Sequence, residues 1–265
     1  MLTRRDFIKL TGASTVGWYV ATQFGWVQRA MAQIPGGTLE LSSVPKYVTP
    51  LLIPPVMPRA GTITLPGGKP ADYYEISMKQ ITEQILPAGL PATTVWGYGA
   101  VKGQGRNPLL IHHAPSLTIE AQWKRPVRVK WINDLIDASG NYRPHLLSVD
   151  PTLHWANPPG GNADRDTRPT FTETPGPYTG PVPVVTHVHG AVGVGDESDG
   201  YAEAWYLPAA NNIPAGFATE GTWYDFFKGK AASSYGAAWG PGSPPSSTRT
   251  RTAPQRSGTT ITRSA

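Results

Sequence analysis

Apolar and polar residues alternate along Tyr73-Tyr74-Glu75-Ile76-Ser77-Met78-Lys79-Gln80. A period of two puts every second side chain on the same face of a strand. The cleanest case is Val127-Arg128-Val129-Lys130-Trp131-Ile132-Asn133, where Val127, Val129 and Trp131 share one face and Arg128 and Lys130 the other. Ser116–Ala121 alternates in the same way. Thr93–Tyr98 is β-branched and aromatic, and Val182–His189 is a further strand-like run ending at Gly190. Such runs, separated by turn residues, predict an antiparallel β-sandwich. Residues 33–72 read as a long extended arm. Residues 136–181 read as a long proline- and glycine-rich connection, and a loop of that length is usually functional or packs as an arm. There is no internal repeat of about 20–50 residues.

Composition supports short strands and many turns. Glycine (29) and proline (28) together exceed a fifth of the 265 residues. The 39% of hydrophobic residues, nine tryptophans among them, suffice for a core. The net charge of +5 is less informative than it looks: residues 1–32 carry +3 and residues 244–265 carry +4, which leaves −2 for 33–243. The basic residues therefore sit at the two ends and form no nucleic-acid-binding face, so no nucleic-acid partner is expected. The absence of cysteine rules out disulfides, thiolate catalysis, zinc–cysteine sites and a blue-copper centre within this chain.

Thr3-Arg4-Arg5-Asp6-Phe7-Ile8-Lys9 resembles the twin-arginine export signal. It is followed by a weakly apolar stretch and by Ala30-Met31-Ala32, a small-x-small cleavage pattern. The alternative, a membrane anchor, is disfavoured by Gln23 and three glycines within a short stretch. Residues 1–32 are thus expected to be a signal peptide. The mature chain is then periplasmic or secreted, with no stable membrane association.

Of six histidines, His187 and His189 stand out, as His-Val-His at the end of an apolar run. On a strand, i and i+2 side chains lie on one face about 6–7 Å apart. Two imidazoles so placed can each hold a separate metal ion, with Val188 turned away and Gly190 allowing close backbone approach. The same spacing also serves a purely structural pair. The flanking residues add to this. Thr186-His187-Val188-His189-Gly190, then Asp196-Glu197-Ser198-Asp199-Gly200-Tyr201-Ala202-Glu203-Ala204-Trp205, closely resembles the first copper motif of bacterial multicopper oxidases of the spore-coat laccase and bilirubin oxidase type. Thr94-Val95-Trp96-Gly97-Tyr98, Arg128–Leu135 and Leu147–His154 resemble further segments of that family, in the family's order, so the likeness runs over about residues 73–243.

The resemblance implies an all-β, cupredoxin-like Greek-key β-sandwich over 33–243, with a long N-terminal arm and extended loops. It implies copper as cofactor, with His187 a ligand of the type 2 copper and His189 of one type 3 copper. Asp199 matches an acidic residue that assists proton delivery; an Asx-turn residue before Gly200 is the alternative reading. His112, His113 and His145 match no family ligand and read as surface or loop residues. His154 matches a family position that is not a ligand.

The rest of an oxidase of this kind does not follow. The second histidine motif, Trp-Tyr-His-Asp-His, should come a few dozen residues after the first. Residues 244–265 instead read as a disordered tail with one large apolar residue, Ile261. The genetic code offers a sharper reading. Gly258-Thr259-Thr260-Ile261-Thr262 can be written GGT ACC ACG ATC ACG; with a T in front and the frame moved back one base, it reads Trp-Tyr-His-Asp-His. The same shift turns Ser246–Arg249 into the start of Phe-Gln-Tyr-Pro-Asn and Arg263-Ser264-Ala265 into Ala-Leu-Gly-Met, with a stop in the current frame after Ala265. A one-base frameshift near Ser243 is therefore expected. The expected function is the N-terminal part of an oxidase that couples oxidation of small phenolic-type substrates to reduction of O₂ to water. Its partners are copper ions, and a substrate only in the full-length enzyme; the isolated chain is expected to be inactive. The alternatives are a stand-alone periplasmic copper-binding protein and a non-metal β-sandwich module.

Overall fold

The backbone of 70–83 forms the organising strand. A computed structural model describes residues 39–150, 156–167, 170–171, 176–190, 194–236, 242 and 245–248. The twin-arginine segment, His154 and the stretch 249–265 lie outside the described residues. The chain divides into two compact units, Met1–Pro45 and Lys46–Ala265. In the first, the Glu40 carboxylate caps a single 3₁₀ turn, Leu41–Ser43.

The second unit is built on one mixed sheet. Its strands are β1 (Gly61–Thr64), β2 (Pro70–Glu83), β3 (Thr93–Ala100), β4 (His112–His113), β5 (Val127–Asn133) and β6 (Pro245–Thr248). Their order is β4-β3-β2-β5-β6, with β1 beside the first residues of β2. All pairings are antiparallel except β2 with β5, whose register sets Tyr74 beside Val129 and Ile76 beside Trp131. The architecture is all-β and cupredoxin-like, with few short helices.

The alternation read in the sequence decides which face is dry. Tyr74 and Ile76 from β2 pack with Val127, Val129 and Trp131 from β5, closed over by Met57 and Leu117. On the opposite face of β5, the buried Arg128 donates from Nη1 to the Tyr235 carbonyl at 3.1 Å. That carbonyl belongs to the last turn of a helix. Asn133, the last residue of β5, is also buried. Its Nδ2 donates to the carbonyls of Val182 (2.9 Å) and Tyr206 (3.3 Å), stitching the sheet to the segments beyond it.

Several elements differ from the sequence-based expectation. First, the arm is not irregular throughout: Gly61–Thr64 is a regular strand, reversed onto β2 by a turn at 65–69 in which Gly67 and Gly68 take positive φ. Second, Ser116–Ala121 forms no strand but isolated bridges at Thr118 and Ile119, the first with Val56. Its partner segment carries Pro54, Pro55 and Pro58, which lack the N–H groups needed to extend a ladder. Third, among the described residues Val182–His189 pairs only at Val184 with Tyr206, next to Pro183, and ends in a turn at His189. Fourth, two helices were not anticipated: α1 (Gly161–Asp164) and α2 (Tyr224–Tyr235). In α2 the buried residues Tyr224, Phe227 and Ala231 line one face, and Gly236 in the left-handed conformation ends the helix. Pro245–Thr248 pair with Val127–Lys130 as a strand, although their side chains show no strand pattern. Ladder bonds are backbone bonds and do not require one.

Candidate metal centre

His187 and His189 come together as the spacing implied. Their ring centroids lie 5.0 Å apart, with the ring planes 75° from parallel. The run leads directly into a turn at His189-Gly190.

His187 is oriented by the chain that returns to it. Its Nδ1 lies 2.8 Å from the Asp199 carbonyl and 3.2 Å from Asp199 Oδ1. A carbonyl only accepts, so Nδ1 carries the proton and donates, which leaves the Nε2 lone pair free to bind a metal. Histidine ligands commonly have such a partner on the second nitrogen. The Asp199 side chain is largely exposed.

Gly200 makes this approach work. Its φ is +71°, and a Cβ there would lie 2.5 Å from the Thr186 carbonyl oxygen and 2.8 Å from His187 Cβ. Gly190 takes a φ of +69°, which favours glycine in the turn that follows His189, and a Cβ there would meet no protein atom within 4 Å.

The turn that presents Asp199 is the 3₁₀ segment Asp196–Ser198. Glu197 and Ser198 are buried. Asp196 meets Lys230 of α2 in an ion pair that holds its carboxyl below the usual carboxylate range. Beyond it, Trp205 is buried, and its Nε1 donates to Asp166 at 2.6 Å. The other Asp166 oxygen accepts the Thr222 N–H at 2.7 Å, which fastens the approach to α2. The anchoring roles of Lys230 and Asp166 left no trace in the sequence, since each depends on a partner tens of residues away.

The other described histidines serve the sheet. Residues 112 and 113, read from sequence as surface or loop, form the half-buried edge strand β4. His112 Nε2 lies 2.7 Å from Ser77 Oγ. Burial, helped by Lys79 and opposed by Asp134, holds its pKa below the ordinary value. His113 pairs with Glu83. His145 packs between Trp96 and Tyr178. Among the described residues, no three His, Cys, Asp or Glu side chains form a group able to hold a metal ion. The paired imidazoles of His187 and His189, the first fixed in tautomer, are of a donor type able to bind a metal ion.

An all-β, cupredoxin-like domain with paired imidazoles is the class that fold and site define. No family model matches the chain. Curated relatives do. The chain is 33% identical over 190 residues to a laccase of Haloferax volcanii, a match covering 68% of this chain and 26% of that protein. It is 33% identical over 138 residues to a laccase of Bacillus subtilis, covering 52% and 20% respectively. It is also 33% identical over 117 residues to multicopper oxidase LPR1 homolog 3 of rice, covering 44% and 16%. The matched stretch spans at most about a quarter of any of these relatives. The chain belongs to the multicopper oxidase family.

Proposed function

We propose that the chain supplies two copper-binding imidazoles, His187 and His189, to a laccase-like multicopper oxidase acting on small phenolic substrates, and that it does not turn over by itself. The carrying observation is the 5.0 Å ring pair with His187 Nδ1 tied to Asp199. In this reading His187 binds a type 2 copper and His189 a type 3 copper. Bound copper supplies the one-electron chemistry that couples substrate oxidation to O₂ reduction. The chain's own residues hold Nε2 of His187 toward the metal, keep Nδ1 protonated against the Asp199 carbonyl, and offer the exposed Asp199 carboxylate to pass protons inward.

The twin-arginine-like segment supports export to the periplasm or beyond. The partner motif is read in the neighbouring frame of codons 258–262, and the nucleotide sequence tests this directly: any other translation there removes the frameshift reading. The copper reading is tested by titrating purified chain with Cu(II) while following electron paramagnetic resonance. Binding with nitrogen hyperfine structure that weakens in His187→Ala and in His189→Ala is the expected result. Unchanged binding by the double variant sinks it, and phenolic-dye turnover that depends on either histidine sinks the claim of inactivity.

A further inference from the structure

Three acids lie in the turn beside the histidine pair, and each faces a different partner. Asp199 Oδ1 approaches His187 at 3.2 Å. Glu197 is buried within attraction of the Arg128 guanidinium. Asp196 meets Nζ of Lys230, which projects from α2. Lys230 has no acid three or four residues away on its own helix, where Phe226, Phe227, Ser233 and Ser234 stand. Among the described residues its only ion pair is with Asp196.

The contacts join end to end. Lys230 holds the Asp196 carboxylate. The Asp196 carbonyl accepts the Asp199 N–H at 3.4 Å, and the Ser198 N–H donates to Gly195 at 2.9 Å, closing the turn. The Asp199 carbonyl then accepts the His187 Nδ1–H at 2.8 Å. We propose that Lys230 is a positioning residue for the metal pair: through Asp196 it holds the turn whose carbonyl fixes the His187 tautomer and so presents Nε2 to copper. This rests on the copper reading above.

The pair is half exposed, and an ion pair that open adds little to global stability. Its effect is local orientation, so removing it leaves the fold in place and the histidine less constrained. Lys228, two residues earlier on α2, pairs instead with Asp225 at 3.8 Å and makes a matched control.

The test uses the ¹⁵N-labelled, copper-free chain, with long-range proton–nitrogen spectra reporting which His187 nitrogen is protonated, followed by Cu(II) titration. The wild type should show the Nδ1–H form. Lys230→Met should show mixed tautomers and Cu(II) affinity weakened about three- to tenfold, less than the ~10–100-fold typical for losing a ligand's direct partner. Lys230→Arg should restore both readouts, and Lys228→Met should change neither. A folded Lys230→Met variant with the wild-type tautomer and affinity overturns the proposal, as does an equal effect from Lys228→Met. Should Lys230→Met not fold, Asp196→Asn carries the same expectation from the other side of the pair. If the wild type binds no Cu(II), the copper reading falls, while the tautomer series in the metal-free chain still decides the role of Lys230.

Discussion

Gly200→Ala places a methyl group where the chain has no room for one. Two costs add. A non-glycine residue at φ +71° loses about 1–2 kcal/mol to the left-handed conformation. The new Cβ would also stand 2.5 Å from the Thr186 carbonyl oxygen, 2.8 Å from His187 Cβ and 3.0 Å from the Thr186 carbonyl carbon. Two of these neighbours are backbone atoms and the third is bonded directly to backbone, so relief requires main-chain movement; overpacking of this kind costs about 1–3 kcal/mol. The sum, about 2–5 kcal/mol, is a large part of the ~5–15 kcal/mol that stabilises a typical domain. Gly190→Ala separates the two costs, because it has a similar φ of +69° and no atom within 4 Å of the added Cβ. Urea denaturation followed by tryptophan fluorescence should find Gly200→Ala clearly less stable than Gly190→Ala. The same movement draws the Asp199 carbonyl away from His187, so Cu(II) affinity should fall too. Gly200→Ala within about 0.5 kcal/mol of Gly190→Ala would refute the argument, because the close contact would then carry no cost.

Asn133→Ala leaves the buried Val182 carbonyl without its donor, while the Tyr206 carbonyl keeps the Val184 N–H, and should destabilise the chain by about 1–3 kcal/mol in the same assay; a loss below about 0.5 kcal/mol contradicts that account. His112 is held below its ordinary pKa near 6.5 by burial and Lys79, so the unfolded chain takes up the proton first as the pH falls. Its contribution is therefore fully present above about pH 6.5 and is lost as the pH drops toward the folded value. The stability gap between wild type and His112→Gln should narrow from about pH 7.5 to pH 5, and a constant gap removes His112 as the cause.

The sequence was most legible where one face of a strand is dry. The alternation over 73–80 and 127–133 fell on β2 and β5, because burial of Tyr74, Ile76, Val129 and Trp131 imposes that period. It misled where prolines interrupt pairing: at 116–121 they lie on the partner segment, of which the side-chain pattern carries no record, and at 182–189 Pro183 lies within the run itself. Helix α2 was obscured by Gly229 in its middle and by aromatic residues that read equally well as strand. At the site, His-Val-His and Asp-Gly were visible as chemistry. What fixes them, the Lys230–Asp196 contact and the tight fit at Gly200, is a matter of distance between segments that sequence order does not encode.

The outermost described strands of the sheet are short: β4 has two residues and β6 has four, as has β1. Along β6 a second copy finds few free backbone groups in a row, which protects that rim against edge-to-edge self-association. Removing 245–248 would change that at once. The run Val127–Lys130 would then lie open, its outward N–H and C=O groups aligned as a template for a stranger's strand. Four residues with no apolar pattern of their own thus set how concentrated the protein can become before its sheets begin to join.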